Sequence, residues 1–299
     1  MSAYRQILAA IDLEEGAEEV MARAGALAIE HQAEVSALHV ISHRGAGVRE
    51  SAHLASLEEL EVQGLTRAQT DRLLGLMDRF RARPLVAYGR PSQAVRDTVQ
   101  QLGVDLLVMG SHTPRGVPGL VGSTAERVAH GVSCDVLVVR HGRGLLADGS
   151  LAPYRRVLCA ADLSEHCATV AGHARRWADA YGAELILVHV EEYFPADRSN
   201  QLIAPEDRDP EEDLRLRSAG SLSQLVGEAC AQGVEPEIIL SDRSVKQEIV
   251  EFAREREVDL ILIGSHGARG TADLLGSTAD GVLHRAPCDL LLVRVGDKE

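Results

Sequence analysis

Two stretches of the chain carry residue types suited to holding an anion. "GSHGARGTADLLGST" (264–278) opens on Gly264 after an apolar run and closes on Gly276-Ser277-Thr278 ahead of a helix-forming segment. "GSHTPRGVPGLVGST" (110–124) repeats it, with Gly110, Gly122, Ser123 and Thr124 in place and Thr113 standing where the other copy has Gly267. Gly264, Gly267, Gly270 and Gly276 would let backbone N–H groups close on a phosphate, and a helix beginning at the last of them adds a positive dipole end. Pro114 restricts Thr113 to extended conformations, which weakens the first copy. Arg115 and Arg269 hold matching places and could reach a terminal phosphate, though each also reads as a solvated surface cation. A tight turn running into a capped helix explains the same residues. Ser123 with Glu126 has capping-box spacing, and Ser277 with Asp280 is a weaker version.

Asp12 and Asp162 stand where an apolar strand gives way to a helix. A carboxylate there serves either as a helix N-cap or as an acceptor for a ribose hydroxyl or an adenine edge, and both readings stay open. His39 and His189 sit on apolar strands, with His112 and His266 just after later ones. No Ser-His-Asp order or HExxH spacing accompanies them, so they read as structural histidines and no catalytic or metal-ligating set is assigned. Cys134 and Cys288, just before apolar runs, read as small core residues.

Bulk properties narrow the partners. With 31 Lys+Arg against 45 Asp+Glu, the formal net charge is -14, and the basic residues do not cluster, which opposes binding to nucleic acid or to anionic lipid. The five cysteines form no CxxC pair and are odd in number, as expected of reduced thiols. Neither a signal peptide nor a membrane-length apolar run is apparent, so a cytoplasmic protein is expected.

The elements that must position these residues occur twice. "RQILAAIDL" (5–13) returns as "RRVLCAADL" (155–163) and "EVSALHV" (34–40) as "ELILVHV" (184–190), both 150 residues on. "GVDLLVMGSH" (103–112) returns as "EVDLILIGSH" (257–266) and "VSCDVLVVR" (132–140) as "APCDLLLVR" (286–294), both 154 residues on. A period this long means a duplicated domain, not a solenoid. The expected domains are 1–142 and 154–299, joined by a linker over 143–153 within the Gly-containing "HGRGLLADGSLAP". In each half short Val/Ile/Leu runs, apolar on both faces, alternate with segments of helical period. That order predicts an α/β fold: a five-stranded parallel sheet with helices on both faces and right-handed crossovers. A ligand in such a sheet binds beyond the carboxyl ends of the strands, where Asp12 or Asp162, Val40 or Val190 and Gly110 or Gly264 fall together.

These residues resemble the universal stress protein family in a tandem form covering nearly the whole chain. Asp162-Leu163-Ser164, His189-Val190 and Gly264-x2-Gly267, followed after eight residues by Gly276-Ser277, follow its pattern, in which nine residues are usual at that spacing. The resemblance implies two Rossmann-like (adenine nucleotide alpha hydrolase-like) domains. It also implies an adenine nucleotide, ATP with Mg²⁺ held through the phosphates, lying across the strand ends. Ala160, Asp162 and Val190 would then lie near adenine and ribose, with Ile263, Gly264, Gly267, Gly276, Ser277 and Thr278 along the phosphates and Arg269 at their end. The first half would offer Ala10, Asp12, Val40, Met109, Gly110, Gly122, Ser123 and Thr124. Thr113 makes the second half the favoured ATP site. The shortened loop and Thr113 keep open a stress or interaction protein without nucleotide, and a slow ATPase is the further alternative. The resemblance also implies an intramolecular pseudo-dimer of the two halves, stress survival as the setting and protein partners of unknown identity; a homodimer of chains is left open.

Overall fold

The computed structural model describes residues 4–14, 16–42, 65–111, 121–142, 145–146, 151–194, 209–227, 234–266 and 275–295. Two compact units emerge, Met1–Ala152 and Pro153–Glu299. In the first, β1 (Gln6–Ile11), α1 (Ala17–His31), β2 (Glu34–Ile41), α2 (Arg67–Phe80), β3 (Arg83–Tyr88), α3 (Pro91–Leu102), β4 (Leu106–Gly110), α4 (Ser123–Gly131) and β5 (Asp135–Val139) follow in order. The second repeats this with β6 (Arg156–Ala160), α5 (Cys167–Tyr181), β7 (Glu184–Glu192), α6 (Pro210–Val226), β8 (Glu237–Ser241), α7 (Val245–Glu255), β9 (Leu260–Gly264), α8 (Ser277–Arg285) and β10 (Asp289–Val293).

All strands of a unit are parallel. In the first unit they lie in the order β3-β2-β1-β4-β5, and in the second β8-β7-β6-β9-β10. The chain therefore starts at the centre of each sheet, works to one edge and returns to the other side of β1 or β6. That reversal opens a crevice between β1 and β4, and between β6 and β9, at the carboxyl ends of the strands. In register, Ala10 lies beside Leu38 and Met109, and Ala160 beside Val188 and Ile263.

The central strands are buried on both faces, as their continuous apolar runs require. Leu8, Leu107, Leu137, Leu158, Leu262 and Leu291 are fully inaccessible, each contributing about 1.5–3 kcal/mol of burial free energy relative to exposure. α1 packs on β1, β4 and β5 and against α2, while α3 packs on β1, β2 and β3 and against α4, so helices cover both faces. Among the described residues no helix is long and apolar enough to cross a membrane.

The opposite sheet edge carries a pair of devices that recur in both units. Asp105 Oδ2 accepts from the backbone N–H groups of Arg5 (2.8 Å) and Gln6 (3.0 Å), and Asp259 Oδ2 accepts from Arg155 (2.7 Å) and Arg156 (3.0 Å). The buried Tyr4 hydroxyl donates to Asp135 Oδ2 (2.8 Å), and Tyr154 to Asp289 Oδ2 (2.7 Å). These bonds fix where β1 and β6 begin, hence how far their carboxyl ends reach towards the crevice. Cys134, Cys159, Cys167 and Cys288 are buried thiols.

Candidate functional site

In each unit a cavity lies at the carboxyl ends of the strands. The first, of about 620 Å³, is lined by Ala10, Asp12, Val40, Met109, Gly110, Gly122, Ser123 and Thr124, all eight residues expected there from the sequence. The second, of about 400 Å³, is lined by Ala160, Asp162, Val190, Ile263, Gly264, Gly276, Ser277 and Thr278, again all eight expected within the described residues. Both volumes fall in the range of small-molecule and cofactor sites. Gly267, Arg269 and Gly270, with His112, Thr113 and Arg115 of the first copy, lie outside the described residues. So do most of the two connections after β2 and β7.

The floor of each cavity is made by strand ends. Ser265 N–H bonds the carbonyl of Val293 (2.8 Å), the Ser265 hydroxyl lies 2.8 Å from His266 Nδ1, and it accepts from the N–H of Val295 (3.3 Å). The Ser-His pair is thus engaged in fixing the exits of β9 and β10 side by side. His39 and His189 turn Nδ1 to the carbonyls of Ile11 (3.0 Å) and Ala161 (2.9 Å), tying each second strand to the exit of the first. Burial lowers the pKa of His39 from its ordinary value of 6.5, against a smaller opposing pull from the Ile11 carbonyl and Asp12.

Neither aspartate is a helix N-cap. The N-cap of α1 is Gly16 and that of α5 is His166, four residues further along in each case. The strand does not run directly into the helix; a turn intervenes, and the carboxylate closes it. Asp12 Oδ1 accepts from Glu14 N–H (3.0 Å), and Asp162 Oδ1 accepts from Ser164 N–H (3.3 Å) and Ser164 Oγ (2.6 Å). Each carboxylate keeps acceptor capacity while lining its cavity.

The capping boxes expected at Ser123 and Ser277 are likewise absent. The N-caps are Gly122 (φ -65, ψ 146) and Gly276 (φ -62, ψ 150), one residue earlier, and neither helix has a side-chain cap. The reason lies in the loop return: Gly122 N–H bonds Ser111 O (3.2 Å) and Gly276 N–H bonds Ser265 O (2.7 Å), pinning the glycine at the boundary and placing the serine inside the first turn. The first-turn N–H groups of α4 and α8, which an α-helix leaves without an internal partner, consequently open on the cavity beside two hydroxyls. Such an end suits a phosphate or another oxyanion.

The sequence did not single out Glu19 and His141, which line the first cavity. Glu19 is 6% exposed, and its carboxylate accepts from Gly142 N–H (2.9 and 3.1 Å) and lies 3.1 Å from His141 Nδ1. In the second unit Cys167, Val170 and Ile249 complete the wall. Val170 and Cys167 belong to the first half of α5, a segment whose helical period was readable, but that they line the cavity was not.

The universal stress protein family model matches residues 3–140 and again 153–294. Universal stress protein A homolog 1 of Coxiella burnetii is 33% identical over 140 residues, which is 47% of this chain and 96% of the relative. A universal stress protein of Methanocaldococcus jannaschii is 29% identical over 168 residues, 54% of this chain and 90% of the relative. Among solved structures, a universal stress protein from Archaeoglobus fulgidus aligns over 100% of this chain and 98% of its own with a TM-score of 0.63 at 22% identity. A functionally unknown protein from Pseudomonas aeruginosa aligns over 98% and 93% with a TM-score of 0.68 at 18% identity. At these identities the two structures speak to the fold alone. Taken with the twice-matched family model, the chain belongs to the universal stress protein family and carries its Rossmann-like domain twice in tandem.

Proposed function

We propose that the protein is a nucleotide-binding regulatory module of the stress response, acting in the cytoplasm, with ATP bound in the second unit. The observation that carries this reading is the uncapped start of α8 at Gly276, open to a cavity whose far side presents Asp162. An adenine nucleotide needs both ends. Its ribose or base calls for an acceptor near the first strand, and its phosphates call for backbone donors at a helix start. The apolar span between, formed by Ala160, Val190 and Ile263, suits a purine face. Mg²⁺ would enter on the phosphates, and among the described residues no cluster of ligands offers it a seat of its own.

Charge favours the second unit over the first. Asp162 is the one acidic residue among the described residues lining its cavity, whereas the first is lined by Asp12, Glu14 and Glu19. Regulation would act through the connections after β4 and β9, whose flanking residues, Gly110 and Gly122 in one unit and Gly264 and Gly276 in the other, line the cavities. A bound nucleotide that favours one arrangement of these segments changes the surface shown to a protein partner.

Calorimetry of ATP with Mg²⁺ on the full chain tests the reading. About one equivalent should bind, and Asp162→Ala should weaken it roughly tenfold or more through loss of one hydrogen bond to a charged acceptor. A folded wild type that takes up no ATP would end the proposal.

A further inference from the structure

We infer that Glu19 is a specificity-determining residue of the first cavity, where its carboxylate stands in for a phosphate and leaves room for a nucleoside but not for a polyphosphate. The inference rests on the nucleotide reading above and deepens it by giving the two units different ligands.

Glu19 lies in the first turn of α1, the helix that packs across β1, β4 and β5. Its partners, His141 and Gly142, stand two and three residues after the end of β5. The carboxylate is therefore held near the exit of β5, in the cavity that Gly110 and Gly122-Ser123-Thr124 also line. A phosphate chain reaching Gly122-Ser123-Thr124 would share that cavity with the carboxylate, the base and ribose being served from Asp12 and Val40 at the exits of β1 and β2.

The bonding is that of an anion site already filled. Both carboxylate oxygens take the N–H of Gly142, and Oε2 also faces the imidazole of His141. A backbone donor and a histidine are what a bound phosphate oxygen would otherwise find there. The backbone is arranged for this clasp: Gly16 has φ +97, and a Cβ on it would stand 3.1 Å from His141 Nδ1. An incoming polyphosphate would meet a buried negative charge and donors already in use. Adenine and ribose would meet neither.

Among the described residues the second unit has no such device. The residue 150 positions after Glu19 is Thr169 and the one 154 after His141 is Val295, and neither lines the second cavity. The larger volume of the first cavity is thus no measure of its fitness for ATP.

The test is the binding stoichiometry of adenosine and of ATP on the full chain, with Mg²⁺ held constant, for wild type, Glu19→Thr and Glu19→Gln. The expected wild type takes two equivalents of adenosine and one of ATP. In both variants a second equivalent of ATP appears, its affinity raised by roughly tenfold or more from removal of one negative charge within the cavity. Glu19→Gln keeps an acceptor for Gly142 N–H, so it carries the test if Glu19→Thr does not fold. Two ATP on wild type, one adenosine on wild type, or one ATP on the folded variants each overturns the inference while leaving ATP binding by the second unit intact. No ATP on any of the proteins overturns both.

Discussion

Replacing Gly276 by valine tests whether the start of α8 receives phosphate, because the backbone there tolerates any side chain. Gly276 has φ -62 and ψ 150, an extended conformation open to all L residues, and its N–H bond to Ser265 O is untouched by a substituent on Cα. The cost to the fold is that of a poor N-cap residue, about 1 kcal/mol. For a unit of this size that lowers the midpoint of thermal unfolding by about 2–4 °C. The cost to binding is far larger. An isopropyl group at the N-cap covers the first-turn N–H groups, and two charge-assisted bonds at about 1.5–3 kcal/mol each would be lost. The sum, about 3–6 kcal/mol, weakens ATP by at least about a hundredfold. Calorimetry beside a thermal melt reads both quantities, and Gly122→Val, the same change in the first unit, should leave ATP uptake as in wild type. A Gly276→Val protein binding ATP within about threefold of wild type would refute the assignment of phosphate to this helix start, since about 0.7 kcal/mol is less than one such bond.

Two further outcomes concern the frame around the sites. Tyr154→Phe removes the hydroxyl that donates to the buried Asp289 while keeping the ring, whose centroid lies 5.0 Å from that of Tyr181. Denaturant unfolding followed by Trp177, the single tryptophan and a member of the same aromatic cluster, should show a loss of about 1.5–3 kcal/mol. For His39 the lowered pKa means that the folded state resists a proton the unfolded chain accepts. Above the ordinary value of 6.5 the imidazole is neutral in both states and costs nothing; as pH falls below it, stability drops until the depressed folded value is reached. His39→Gln should therefore lose less stability than wild type between about pH 7.5 and pH 5.5, and equal losses would remove burial of His39 as the cause.

The fold could be read in the sequence because parallel strands buried on both faces leave an unbroken apolar signature, and because the chain states its plan twice. β1, β3 and most of β2, β4 and β5 coincide with runs such as "QILAAI" and "RPLVAY", and the switch point then selects the edge where the cavities lie. Capping was less legible, since Ser123 and Ser277 satisfy the spacing of a capping box while a tertiary bond from the loop sets the helix boundary one residue earlier. Asp12 and Asp162 were readable as residue types at a strand end, but the sequence does not say that a turn separates strand from helix.

Repetition also hid information as well as revealing it. Tyr4 with Asp135 and Tyr154 with Asp289 recur in both halves, so their pairing was available to a comparison of the two copies. Glu19 and His141 do not recur, and they stand 122 residues apart in the chain. Such a pair has no spacing signature; only folding brings a first-turn glutamate of α1 to the exit of β5. Residues that the halves share set the frame and the crevice, while carboxylates present in only one half, Glu14 and Glu19, distinguish the two crevices. A duplicated domain that keeps its core while altering the charge at one cavity can hold two ligands on one architecture, and the unmatched residues are where that difference must be sought.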